Sequence, residues 1–121
     1  MYTLTHAPVL VRFGYAVSDQ TRARVLLALA DVPGYPSDLA DSLGVSRQSM
    51  SNHLTCLRGC GLVLAVPDGR RTRYELADAR LGYAIRDFIS VVLAMVILPA
   101  VPPTKQAWHE RCAPVHPGYT A

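Results

Sequence analysis

Residues 46–60 read SRQSMSNHLTCLRGC, and the rest of the chain is organised around them. Ser46 is a good helix N-cap, and Met50, Leu54 and Leu57 follow at helical spacing, which predicts a helix from Arg47 to Gly59 or Gly61. At about 100° per residue these three apolar side chains fall within roughly 60° of one another. Gln48, Ser49, Asn52 and His53 are left facing outward, and such side chains suit base edges and phosphates. The same projection places Cys56 and Cys60 about 40° apart, on the flank that carries Ser49 and His53. A helix suited to reading DNA thus carries two thiols on one side.

The preceding stretch, YPSDLADSL at 35–43, has Ser37 as a plausible N-cap and Leu39, Ala40 and Leu43 as an apolar stripe. Gly44-Val45 then turns the chain into the next cap. Two short helices joined by a glycine-containing turn predict a helix-turn-helix whose second helix is offered to the major groove. Arg47, Gln48, Ser49, Ser51, Asn52 and His53 are its candidate DNA contacts.

Earlier in the chain, residues 8–17 carry Val9, Leu10, Phe13 and Val17 at helical spacing, with Pro8 suited to a first turn. Ser18-Asp19 can cap a second helix over 21–30, with Val25, Leu26 and Leu29 inward and Arg22 and Arg24 outside. Residues 31–34, DVPG, break it. After Gly61 the periodicity changes. Residues 62–66 form a short aliphatic run, PDGR makes a turn, and RTRYEL at 71–76 alternates polar and apolar residues. This predicts a β-hairpin wing with Asp68-Gly69 at its tip, where Arg70 and Arg71 would lie against phosphates. Asp78 can cap a last helix over 79–98. Its second half is apolar nearly all round but too short to span a bilayer, which points to a subunit interface rather than a membrane. Pairing there, with the first helix alongside, makes a homodimer that sets two recognition helices on successive major grooves of double-stranded operator DNA.

Composition agrees with a small nucleic-acid-binding chain. At 121 residues and 50% hydrophobic content it is long enough for one packed domain, expected over 1–98. Net charge is +3 and the pI is near 9.0. Five arginines (Arg47, Arg58, Arg70, Arg71, Arg73) stand against the single acid Asp68 between 47 and 73, an excess that suits a phosphate backbone. No Ser/His/Asp or paired-carboxylate arrangement and no glycine-rich phosphate loop stands out, so an enzyme is not expected. Three cysteines and no charged-then-apolar leader lead to the expectation of a reducing cytoplasmic location.

From 99 onward the composition shifts: five of the nine prolines lie here, and a mobile tail is expected. It holds Cys112, flanked by His109 and His116, and from Pro99 it can reach up to roughly 40 Å. Three thiolates without a tetrahedral fourth ligand suit a soft ion such as Cd(II) or Pb(II) better than a closed structural zinc site. The same sulfurs can also take As(III) or Zn(II), or oxidise reversibly, and a helix-turn-helix protein without an inducer is the plainest alternative. His53 is better explained by DNA or by capping than as a ligand.

The order of elements, with SDQTR in the second helix and the pattern S-x-H-L-x-x-L-x-x-x-G-L-V across 51–63, resembles the ArsR/SmtB repressors, whose fold is a mainly α winged helix-turn-helix dimerising through N- and C-terminal helices. Within that family, SNHLTCLRGCGLV is similar to the CmtR-type sensors of cadmium and lead. The resemblance covers about residues 9–98. It implies a metal-responsive repressor that leaves its operator when the ion binds, with Cys56 and Cys60 as two ligands and Cys112 as the remaining cysteine for the third. The paired-cysteine motif of arsenic and other cadmium sensors is absent from 37–43, and the His/Asp pattern of zinc sensors is absent from the last helix.

Overall fold

The computed structural model describes residues 6–96, and the expected domain boundary at 98/99 lies outside them. Five helices and one hairpin follow in order: α1 (Ala7–Ala16), α2 (Gln20–Asp31), α3 (Pro36–Leu43), α4 (Arg47–Gly59), β1 (Val63–Asp68), β2 (Arg71–Leu76) and α5 (Ala79–Val96). The chain forms two compact units, Met1–Arg86 and Asp87–Ala121.

Each helix starts where its sequence chemistry allows. Pro8 occupies the first turn of α1, where a missing N–H costs nothing. Asp19 accepts the Arg22 N–H at 3.1 Å and opens α2. Ser46 does the same for α4, accepting the Ser49 N–H at 3.0 Å. At α3 the expected cap is displaced: Pro36 takes the first helical position, so Tyr35 becomes the N-cap and Ser37 lies inside the helix.

Two glycines set the path between the helices. Gly44 ends α3 at φ 70°, a left-handed conformation that a Cβ disfavours, and the Val45 N–H reaches back to the Ala40 carbonyl at 3.0 Å. Gly61, at φ 80°, follows α4 in the same way, with the Leu62 N–H on the Leu57 carbonyl at 3.1 Å. In both places a helix is stopped and the chain redirected within two residues, so the turn between α3 and α4 is tight.

The core of the first unit is built from the predicted stripes. Val25, Leu26 and Leu29 of α2, Leu39 and Ala40 of α3, and Met50, Leu54 and Leu57 of α4 are buried, together with Val63 and Ile85. α2 packs against both α3 and α4, and the helix-turn-helix is thereby held on a three-helix base. β1 and β2 pair antiparallel from Val63↔Leu76 to Asp68↔Arg71, so Gly69-Arg70 forms the tip. Gly34 adds a bridge to Tyr74, donating to its carbonyl at 2.9 Å and accepting its N–H at 2.7 Å, and this anchors the wing to the loop before α3.

One expectation is corrected here. Arg22 does not project outward: its guanidinium donates to the Ala16 carbonyl at 2.8 Å and the Tyr15 carbonyl at 3.1 Å, capping the end of α1. Of the α1 stripe, Val9 and Leu10 are exposed and Phe13 and Val17 half-buried. On α5, Phe88, Val91, Leu93 and Met95 are exposed as well. No helix among the described residues is long and apolar enough to cross a membrane.

Asp78 caps α5 by accepting the Arg80 N–H at 2.8 Å, and the Arg80 guanidinium pairs with the same carboxylate at 2.7 Å. Those bonds, the guanidinium's first, hold the Asp78 carboxyl down from 3.8 to about 2. A depressed carboxyl contributes stability above pH 3.8 that is lost as the pH falls through about 2. Accordingly, the difference in urea midpoint between the parent and Asp78→Asn should shrink across that window, the effect being small because the pair is exposed.

Candidate functional site

α4 carries two groups of candidate functional side chains. On the solvent edge Arg47, Gln48, Ser51 and Asn52 are exposed, and Gln48 Nε2 donates to Asn52 Oδ1 at 3.1 Å. An amide pair one turn apart offers donors and acceptors suited to a major-groove base edge. Ser49 is half-buried, next to the N-cap that its own amide satisfies. Arg58 is exposed in the last turn.

His53 departs from the outward expectation. Its side chain is only 18% exposed, and Nε2 lies 3.8 Å from Asp19 Oδ1 at the cap of α2. Burial raises the Asp19 carboxyl, but the Arg22 N–H and the charge of His53 outweigh it and leave the carboxyl below its ordinary range. His53 therefore ties α4 to the start of α2 rather than reaching out. The helical projection missed this because the partner comes from another element.

The wing differs in a related way. Arg70 stands at the exposed tip with no ion pair among the described residues. Arg71, expected beside it on phosphates, is instead folded against α3. Its guanidinium lies 3.6 Å from the centroid of the Tyr35 ring and 2.9 Å from Asp38 Oδ2. The Tyr35 hydroxyl donates to Asp68, and Arg73 pairs with Asp68 at 3.4 Å and Glu75 at 3.5 Å. This latch of Tyr35, Asp38, Asp68 and Arg71 fixes the wing relative to the helix-turn-helix. Only the alternation of opposite charges between 35–38 and 68–75 signals it in the sequence.

A consequence can be measured. Asp38→Asn removes a negative charge beside the wing and releases Arg71, so affinity for duplex DNA should rise about two- to fivefold at low salt. The slope of log affinity against log salt should steepen by about 1, the signature of one more phosphate contact.

The last turns of α4 carry the thiols. Cys56 and Cys60 are free and both half-buried, one helical turn apart, with the Cys60 N–H donating to the Cys56 carbonyl at 3.0 Å. Burial pushes the Cys60 thiol up, and the neighbouring Cys56 adds to this, while Arg12 and Arg22 partly oppose it. Two sulfur donors one helical turn apart fit a soft cation. No cluster of three or more His, Cys, Asp and Glu occurs among the described residues. Cys112, the expected third ligand, lies outside the described residues, as do His109 and His116. Cys60 also lines a cavity of about 420 Å³ with Pro8, Val9, Leu10, Arg12, Phe13 and Leu62.

Comparison with known proteins places this geometry. Residues 19–64 match the bacterial regulatory protein family arsR. Over 86 residues the chain is 52% identical to the HTH-type transcriptional regulator CmtR of Mycobacterium tuberculosis, covering 71% of this chain and 73% of that one. The NMR structure of the cadmium metal-sensor CMTR from Mycobacterium tuberculosis superposes with a TM-score of 0.59 at 46% identity, over 78% of this chain and 93% of that one. A homodimeric winged helix-turn-helix DNA-binding domain from Mycobacterium bovis gives a TM-score of 0.64 at 27% identity, over 71% and 82% of the two chains.

Proposed function

Because this chain belongs to the arsR family of bacterial regulatory proteins, a winged helix-turn-helix family of transcriptional regulators rather than enzymes, we propose that it is a cadmium-responsive repressor. In this proposal a homodimer binds double-stranded operator DNA and leaves it when a soft metal ion is captured by cysteine thiolates. One observation carries the proposal: Cys56 and Cys60 stand one turn apart, free and half-buried, at the end of the same helix that exposes Gln48 and Asn52. The cadmium sensor to which the chain is 46% identical supports the choice of ion.

Arg47, Gln48, Ser51 and Asn52 would meet the major groove, with Arg70 on the flanking phosphates and Ser49 and His53 holding the helix from within. Cys56 and Cys60 would hold the ion, and Cys112 is the chain's remaining thiol. A bound soft divalent ion supplies a positive centre that replaces the thiol protons and draws the sulfurs together. Since Cys60 is the residue at which α4 ends, a shift of its backbone alters the last turn of the helix that faces DNA. Coupling of the two sites is reciprocal, so operator DNA must weaken cadmium binding by the same factor by which cadmium weakens DNA binding.

The test is a titration of the reduced, operator-bound protein with cadmium, following DNA anisotropy and thiolate-to-cadmium absorption together. Release that tracks the absorption supports the proposal; absorption without release leaves a metal-binding protein that is not a sensor. Parallel titrations with lead, zinc, arsenite and hydrogen peroxide assign the inducer, and release by peroxide alone makes the thiol pair a redox switch instead.

A further inference from the structure

We propose that Arg71 is a positioning residue of DNA recognition: held by Tyr35 and Asp38, it fixes the wing against α3 so that base and phosphate contacts are made in one register, and its own charge is withheld from phosphates. The proposal rests on the DNA-binding reading above and is independent of the thiol pair. The wing is attached to the helix-turn-helix at two heights. In mid-strand the Gly34–Tyr74 bridge joins β2 to the loop before α3, with bonds of 2.9 and 2.7 Å. Nearer the tip, the Arg71 guanidinium lies 3.6 Å from the Tyr35 ring centroid and 2.9 Å from Asp38 Oδ2. The Tyr35 hydroxyl donates to Asp68, which is paired with Arg71 across the hairpin, so both strands are pinned there. The bond to Asp68 pushes that hydroxyl above its ordinary value of 10.0, and it remains a donor at neutral pH.

Geometry makes the second attachment matter. Successive strand residues rise about 3.4 Å, so Arg70 at the tip stands roughly 14 Å beyond Tyr74. A swing of about 10° around the Gly34 bridge alone carries the tip by about 2 Å, more than a hydrogen bond tolerates. Pinning at Asp68 and Arg71 closes that swing, and Arg70 then reaches a phosphate only where α4 already sits at its proper depth in the groove. Charge is disposed to the same end. Arg71 and Arg73 are matched by Asp38, Asp68 and Glu75, which leaves Arg70 as the wing arginine without an ion pair among the described residues. Phosphate contacts carry no sequence information, so a guanidinium kept from them lowers affinity for every duplex alike, while one that fixes register favours the duplex whose bases fit.

The test compares the full-length parent and its variants on two probes: a duplex selected by the parent from a random-sequence pool, and a scrambled duplex of the same composition. Asp38→Asn combined with Arg71→Gln opens the latch without changing the local charge. Affinity of this double variant for the selected duplex should fall about tenfold, while its affinity for the scrambled duplex, and the salt slope on both, match the parent. Asp38→Asn alone, which frees Arg71, should tighten binding to the scrambled duplex more than to the selected one. Asp38→Glu, which can keep the pair, should retain the parent's preference. A salt slope lower by about 1 on the selected duplex makes Arg71 a phosphate contact and overturns the proposal. So does an unchanged preference in the double variant, and so does an equal loss on both probes, since the latch then serves only the fold. A parent that selects no sequence overturns the DNA-recognition reading itself.

Discussion

Cys56→Ser and Cys60→Ser should each retain operator binding and lose cadmium-induced release. Both thiols lie C-terminal to the exposed Gln48 and Asn52 pair along α4, and neither belongs to the buried stripe of Met50, Leu54 and Leu57. Serine keeps the volume and a polar hydrogen, so the helix is undisturbed. What is lost is a soft donor for which a hydroxyl is no substitute. Changes around a metal ligand typically cost about 10–100-fold in affinity, and removing the ligand itself should exceed that range. The measurement is the cadmium concentration at half-release of fluorescent operator DNA, with affinity for that DNA in the absence of metal as the control. Unchanged release in either variant would remove the thiol pair from the mechanism.

The second large effect concerns the uncovered apolar surface. Phe88 and Met95 of α5 are 63% and 73% exposed, and such surface in a small regulator signals association rather than chance. With two copies joined, the second recognition helix binds its half-site at an effective concentration set by the first, an advantage of about 10²–10⁴. Phe88→Glu combined with Met95→Glu places charges on that surface. The double variant should sediment as a monomer with an intact near-ultraviolet spectrum, and its affinity for a palindromic operator should fall by about 10²–10⁴. Affinity for a single half-site should hardly change. A variant that remains dimeric would locate self-association elsewhere.

The elements whose chemistry is local were legible in the amino acids. Ser46, the Met50-Leu54-Leu57 stripe, Gly44 and the RTRYEL strand each state their conformation within four or five residues, and α4 and β2 fall on the predicted bounds. The start of α3 moved because Pro36, which needs no N–H partner, competes better for the first helical position than Ser37 competes as a cap. What stayed hidden depends on partners distant in sequence. Arg71 finds Asp38 across 33 residues, His53 finds Asp19 across 34, and Arg22 turns back to the preceding helix. A helical projection gives angles around one axis and carries no account of neighbouring elements. Proximity of the two thiols was visible, because four residues on a helix guarantee it. The guanidinium groups of Arg12 and Arg22 acting on Cys60 were not.

Cys60 occupies the C-cap of α4, at φ −80° and ψ −6°, where the helical ladder gives way to Gly61. A sulfur hung from a helix end is free to swing inward or outward by a fraction of an ångström without uncoiling a turn, whereas one in the middle is not. In the proposed site such a donor would adapt to ionic radius. Size discrimination between cadmium and the larger lead ion would then fall to the other donors of the proposed site.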